Sequence, residues 1–170
     1  MQPEQAKFLM EHYAELSCYE MGITSRVIAA VPANQPDYAP DAKSMKALDL
    51  AWHIASAECL FLRSLLKGAF TMEGVTSRPA EISDGAKVVE WYKANITPLW
   101  EQVRKLDPAK LAAPLDLFGL TNLPTAAYLS LMLRHSVHHR GQLSAYLRPM
   151  GGKVPSIYGG SADEPSEASR

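Results

Sequence analysis

Apolar residues return at helical spacing in four long stretches of this chain, and nowhere does a strict two-residue alternation persist. The first stretch runs from about Pro3 to Val31, with Phe8, Leu9, Leu16, Ile23 and Val27 at helical intervals. Pro3 suits a first helical turn, and Gly22 weakens the helix without ending it. VPANQPDYAPDAKS follows, and its three prolines predict a loop. A second helix is expected from an N-cap at Ser44 to a glycine stop at Gly68. MKALDLAWHIASAECLFLRSLLKG is apolar almost all round, as in a helix buried on more than one side.

FTMEGVTSRPAEI reads as a connector, and a third helix starts near Ser83 or Asp84. Val88, Val89, Tyr92, Ile96, Leu99, Trp100 and Val103 mark its apolar face, and Pro98 predicts a kink near Asn95. DPAKL is a short turn with Asp107 as cap and Pro108 in the first helical position. LAAPLDLFGLTN reads as irregular, and a fourth long helix spans about Pro124 to Pro149. The Gly/Pro/Ser-rich tail GGKVPSIYGGSADEPSEASR should dock by its first half and fray over its last ten residues. The pattern predicts an all-α four-helix bundle: one domain over 1–160 and a flexible, irregular tail over 161–170.

The chain has 170 residues, enough to bury a core without disulfide or metal staples. Its hydrophobic share of 47% is that of a globular domain. The formal charge of −1, from 17 basic and 18 acidic residues, argues against nucleic acid or an anionic membrane as partner. No stretch approaches the ~20 apolar residues of a membrane helix, and the early acids of MQPEQAKFLMEHY do not read as a secretory signal. Cys18 and Cys59 stand far apart in apolar helical patterns, so both are expected as buried, reduced thiols in a cytoplasmic protein.

The chemistry concentrates in LMLRHSVHHRGQLSAYL. On a wheel of ~100° per residue, His139 falls ~40° from His135, and Tyr128, Met132, Leu143 and Tyr146 lie within ~80° on the same side. His135 and His139 therefore point inward from the apolar stripe, while His138 sits at its edge, about −60° away. Two inward imidazoles one turn apart are either polar core or half of a metal site. His53, in DLAWHIASAE, is the other histidine of a strongly apolar helix, where a buried imidazole needs partners for both nitrogens. An ion shared by His53, His135 and His139 would satisfy one nitrogen on each and leave open positions, as catalytic sites do. Cys59, about 120° off the face of His53, is a poor fourth ligand. His12, beside Glu11 and Glu15, reads as a surface residue. Position 136 is Ser, so H-E-x-x-H is absent, and no P-loop, G-x-S-x-G or G-x-G-x-x-G is present.

HSVHHRGQ resembles the H-x-x-x-H-R-G-Q signature of the DinB/YfiT-like metalloenzyme family. SMKALDLAWHI resembles that family's first ligand segment, S-x-x-x-L-x-x-A-W-H-I, and GGKVPSIYG resembles the segment after the signature helix. The likeness spans Ser44 to Gly160. It implies up-down-down-up connectivity, often a homodimer, and one divalent metal ion on His53, His135 and His139, with Zn, Ni, Mn and Fe all compatible. The position of His138 is not a ligand in the family motif. Some relatives are transferases or isomerases that use bacillithiol, mycothiol or glutathione. The expectation is therefore a metal-dependent enzyme acting through a low-molecular-weight thiol, or a hydrolase acting through water. The alternative is a non-catalytic, stress-response dimer that binds metal or a small ligand. A metal-free bundle with the histidines as polar core is a third reading. Gln142 and Tyr146 are expected either to pack or to support the ligands and substrate. Arg140 should anchor another helix, Gly141 should allow close helix approach, and Trp52 should be core.

Overall fold

The computed structural model describes residues 1–72 and 77–165. Helix α1 spans Pro3–Ala29, α2 Ala47–Lys67, α3 Gly85–Val103, the short α4 Pro108–Ala112, and α5 Tyr128–Leu147. Strands β1 (Pro114–Leu117) and β2 (Thr121–Pro124) form a small antiparallel hairpin, and a 3-10 turn at Thr125–Ala127 leads into α5. The four long helices follow the apolar periodicity closely, and the ends follow local chemistry. Gln5 Oε1 accepts the backbone N–H of Gln2 at the start of α1. Gly68, at φ 74°, stops α2 in the left-handed conformation a glycine adopts without a Cβ penalty. Asp84 caps α3 by accepting from the Lys87 amide at 2.9 Å, and Asp107 caps α4 from the Ala109 amide at 2.7 Å.

Several local expectations change. The cap of α2 is Lys46 rather than Ser44. Asp41 captures Ser44 instead: its carboxylate accepts the Ser44 amide and hydroxyl at 3.2 and 2.7 Å, forming a turn that ends before the helix. Helix α3 contains Pro98, as expected, and near the position where a kink was predicted the Asn95 side chain donates to the Trp91 carbonyl at 2.8 Å. The segment expected to be irregular carries the hairpin, whose strands are only four residues each and too short to show alternation. Its tip places Phe118 at φ 51° and Gly119 at φ 73°, and the Asp116 carboxylate holds it by accepting the Gly119 amide at 2.8 Å. The buried Tyr128 hydroxyl lies 2.7 Å from the Leu115 carbonyl and 3.0 Å from that of Thr121, so the first turn of α5 ties down both strands.

Helix α2 packs on α3 and α5, and α1 packs on α5, α3 and α4. Leu48, Leu50, Ile54 and Leu62 bury α2 on several sides, as its composition predicts. They meet Val88, Tyr92 and Ile96 of α3 and Leu129, Met132 and Leu143 of α5 in one core. On α1 the expectation fails in part. Phe8 is 71% exposed and Leu16 36%, and the buried positions near them are the smaller or thinner Ala6, Met10, Ala14 and Ser17. Cys59 is buried, but Cys18, also expected inside, is exposed.

Close backbone approach occurs at Gly85, not at Gly141. A Cβ on Gly85 would lie 2.2 Å from the Ile28 carbonyl oxygen, whereas a Cβ on Gly141 would meet nothing within 4 Å. Arg140 is an anchor as expected. It is 1% exposed, and its guanidinium donates to Glu20 at 2.5 Å and Thr24 at 3.2 Å on α1, and to the Tyr158 hydroxyl at 2.5 Å in the tail. The tail is held further by Arg26 donating to the Ser156 carbonyl at 2.7 Å. Within the stretch expected to fray, Asp163 accepts from Arg148 at 3.0 Å and Glu164 from the Ser156 amide at 2.8 Å. The rest of that expectation, from 166 onward, lies outside the described residues.

Candidate metal centre

Because α2 and α5 pack face to face, they bring together three histidines far apart in sequence. His53 stands on the second turn of α2, and His135 and His139 stand one turn apart on α5. One ring nitrogen from each lies within 4.8 Å of the others, so the three side chains converge on one point. The Nε2 atoms of His53 and His135 are 3.0 Å apart, and the three ring centroids are separated by 4.4 to 4.8 Å. All three are half-buried. His138 contacts the His139 ring edge-on at 4.9 Å but is exposed and outside the cluster. His12 is also exposed, stacked with Phe8 on α1.

The electrostatics favour neutral rings at His53 and His135. Burial pushes His135 down to about 4, and the neighbouring imidazoles of His139, His53 and His138 push the same way. Burial also lowers His53, with His139 adding to it. A neutral imidazole offers one lone pair and one N–H. Two such Nε2 atoms at 3.0 Å either share one N–H···N hydrogen bond or present both lone pairs to a cation between them, and with His139 converging on the same point the donor set fits a divalent metal.

The surroundings orient one of the three candidate ligands. His139 Nδ1 lies 3.0 Å from Gln142 Oε1, and Gln142 donates its amide to the Tyr146 hydroxyl at 3.1 Å. Tyr146 in turn packs edge-on against Tyr38, with centroids 5.8 Å apart. With the amide nitrogen of Gln142 engaged by Tyr146, its oxygen can accept the Nδ1 proton of His139, a tautomer that leaves Nε2 as the lone-pair atom. Gln142 and Tyr146 are therefore placed where they could support His139. His135 Nδ1 is buried with no hydrogen-bond partner among the described residues, and its ring packs against Phe61 at 6.2 Å. Trp52 is 5% exposed and tilted against Trp91, so it belongs to the core.

Two groupings were missed in the sequence. Behind the centre, Glu58 of α2 is 6% exposed and accepts hydrogen bonds from the hydroxyls of Tyr92 and Ser136. Burial raises its carboxyl above the usual range, against the lowering pull of those hydrogen bonds and of Arg140. Beside the centre, a pocket of about 300 Å³ is walled by Met45, Asp49, Trp52, His53 and Arg78. Acids inside an otherwise apolar helix were the available signal for both.

The DinB family profile matches residues 5–169. Among solved structures, a DinB-like protein of Bacillus cereus superposes with a TM-score of 0.72 at 21% identity, over 87% of this chain and 97% of its own. The DinB-like protein YjoA of Bacillus subtilis superposes with a TM-score of 0.67 at 23% identity, over 88% and 96%. These two likenesses concern the fold. No protein of curated function matches the chain. With the family profile covering nearly its whole length, the chain belongs to the DinB family.

Proposed function

We propose that this protein is a divalent-metal-dependent enzyme whose ion is held by His53, His135 and His139, and which transfers or isomerises a substrate with the help of a low-molecular-weight thiol. The convergence of three half-buried imidazole nitrogens within 4.8 Å carries the reading. Zn, Ni, Mn and Fe all accept imidazole nitrogen. Such an ion, with positions left open by only three protein ligands, lowers the pKa of a bound thiol or water and so supplies a nucleophile at neutral pH.

The chain's own residues do the positioning. Gln142 holds His139 in the tautomer that presents Nε2, and Tyr146 holds Gln142. Phe61, 9% exposed, packs beside His135 and keeps water from that side of the centre. The four long helices are read as an up-down-down-up bundle, a reading with which the packing of α1 and α2 on both α3 and α5 is compatible. The protein is read as a cytoplasmic homodimer. No helix of the described residues is long and apolar enough to cross a membrane. Phe8, Leu16 and Tyr19 of α1, within ~80° of one another, present an exposed apolar face suited to a second copy.

Metal analysis of the purified protein tests the first half of the proposal, with about one ion per chain expected. An S-transfer panel of bacillithiol, mycothiol and glutathione with an electrophile tests the second. A metal-free protein overturns the proposal outright. A metal-loaded protein with no turnover across the panel overturns the thiol enzyme and leaves a metal-binding protein.

A further inference from the structure

The pocket beside the metal centre has a charge pattern of its own. Arg78 reaches it from the segment before α3, and Asp49 from α2 one turn before His53. Arg78 Nε donates to Asp49 Oδ1 at 2.9 Å, and Nη1 donates to the Ile82 carbonyl at 2.5 Å. The Arg78 side chain is only 19% exposed and that of Asp49 41%. Among the described residues, no group accepts from Arg78 Nη2 and none donates to Asp49 Oδ2. The paired guanidinium and carboxylate thus both line, with Ser56 and Ser77, a pocket of about 300 Å³, near the lower limit for small-molecule sites, and each retains hydrogen-bonding capacity beyond their mutual bond. Trp52, fixed against Trp91, gives the pocket a rigid aromatic side, and His53 is shared with the metal centre.

The two charges restrict what fits. A ligand bearing only a carboxylate would gain Arg78 but sit beside the Asp49 anion. A ligand bearing only an ammonium would gain Asp49 but face the guanidinium. A group with both charges on adjacent atoms answers each, and planar guanidinium geometry suits a carboxylate. We infer that this pocket binds the α-ammonium and α-carboxylate end of an amino-acid-like molecule, with Arg78 taking the carboxylate and Asp49 the ammonium. The rest of that molecule then lies toward His53, where its reactive atom meets the metal centre. Only this last placement rests on the function proposed above.

The test is calorimetric binding to the full-length chain, with and without added zinc after EDTA treatment. Three probes without a free thiol are compared: S-methyl-L-cysteine, its methyl ester and 3-(methylthio)propanoate. S-methyl-L-cysteine should bind in both metal states, and loss of either charge should weaken binding about tenfold or more. Arg78→Gln should erase the preference for acid over ester, and Asp49→Asn the preference for the amine. Equal binding of all three probes overturns the inference, as does no binding of S-methyl-L-cysteine at about 10 mM. If Arg78→Gln fails to fold by circular dichroism, the probe series on the unmodified protein decides alone. Protein that binds no metal but discriminates the probes sinks the enzyme proposal and keeps this pocket. Protein that binds metal but ignores the charges does the reverse.

Discussion

His53 Nε2 and His135 Nε2 face each other at 3.0 Å across the α2–α5 interface, although 82 residues separate them in the chain. Their rings are half-buried, and burial holds both below the ordinary imidazole range. The pair therefore competes weakly for protons and is ready for a cation at neutral pH.

Removing a ligand should remove the metal. His53→Ala and His139→Ala are expected to bring the bound ion from about one per chain to near zero, read by elemental analysis after dialysis. His138→Ala, in the same histidine run but exposed, should leave the stoichiometry unchanged. Loss of metal in His138→Ala together with retention in His53→Ala would contradict the assignment.

In the proposed centre, Gln142 stands one step behind the ligands. Without its oxygen, His139 loses the acceptor that fixes its tautomer and ring orientation. Gln142→Leu should lower metal affinity roughly 10–100-fold while leaving the fold intact, measured by competition with a chelating dye. Tyr146→Phe should have a smaller effect in the same direction, because it frees only the far end of the Gln142 amide. Unchanged affinity in Gln142→Leu would leave that residue a packing role alone.

Glu58 gives stability a pH dependence of predictable sign. Burial raises its folded-state pKa above the ordinary value of 4.5, so the folded protein binds more protons than the unfolded chain once pH passes that value. This contribution is fully present below 4.5 and is lost as pH rises through the raised folded value. Urea midpoints of the unmodified protein minus those of Glu58→Gln should therefore fall as pH rises above 4.5. The amide keeps an acceptor for one of the Tyr92 and Ser136 hydroxyls and cannot ionise. A difference that is flat or rises over this window would reject the buried, raised carboxyl.

Two glycines should respond oppositely to alanine. Gly85→Ala forces a methyl group against the Ile28 backbone carbonyl, 2.2 Å from its oxygen, and backbone cannot rotate aside. A loss of about 1–3 kcal/mol is expected as α3 is displaced from α1. Gly141→Ala faces open space on an exposed position of α5 and should gain up to about 1 kcal/mol from helix propensity. Denaturant unfolding of both variants checks the pair. It also separates the crossing of α1 and α3 from the signature segment, where close approach was expected from the sequence.

The helical architecture was legible in advance because each long helix repeats its apolar residues at the period of its own geometry, and Gly68, Asp84 and Asp107 mark ends by local hydrogen bonding or φ preference. His135 and His139 were legible as a pair for the same reason, since one turn of helix fixes their common face. What no local rule contains is which side of a helix meets which neighbour. Phe8 and Leu16 fit an inward stripe, yet α1 buries Ala6, Met10 and Ala14 instead. The hairpin at 114–124 depends on Tyr128 reaching back to its carbonyls, a contact absent from any four-residue pattern.

By itself, then, the sequence determined the helices, most of their ends and the inward histidines of α5, because those follow from backbone period and nearby side chains. The tertiary structure alone brought His53 to within 3.0 Å of His135, placed Gln142 behind His139, sealed Glu58 against Tyr92 and Ser136, and set Arg78 against Asp49. Each of these needs two elements packed in a particular register, and packing is a property of the whole core rather than of any segment within it.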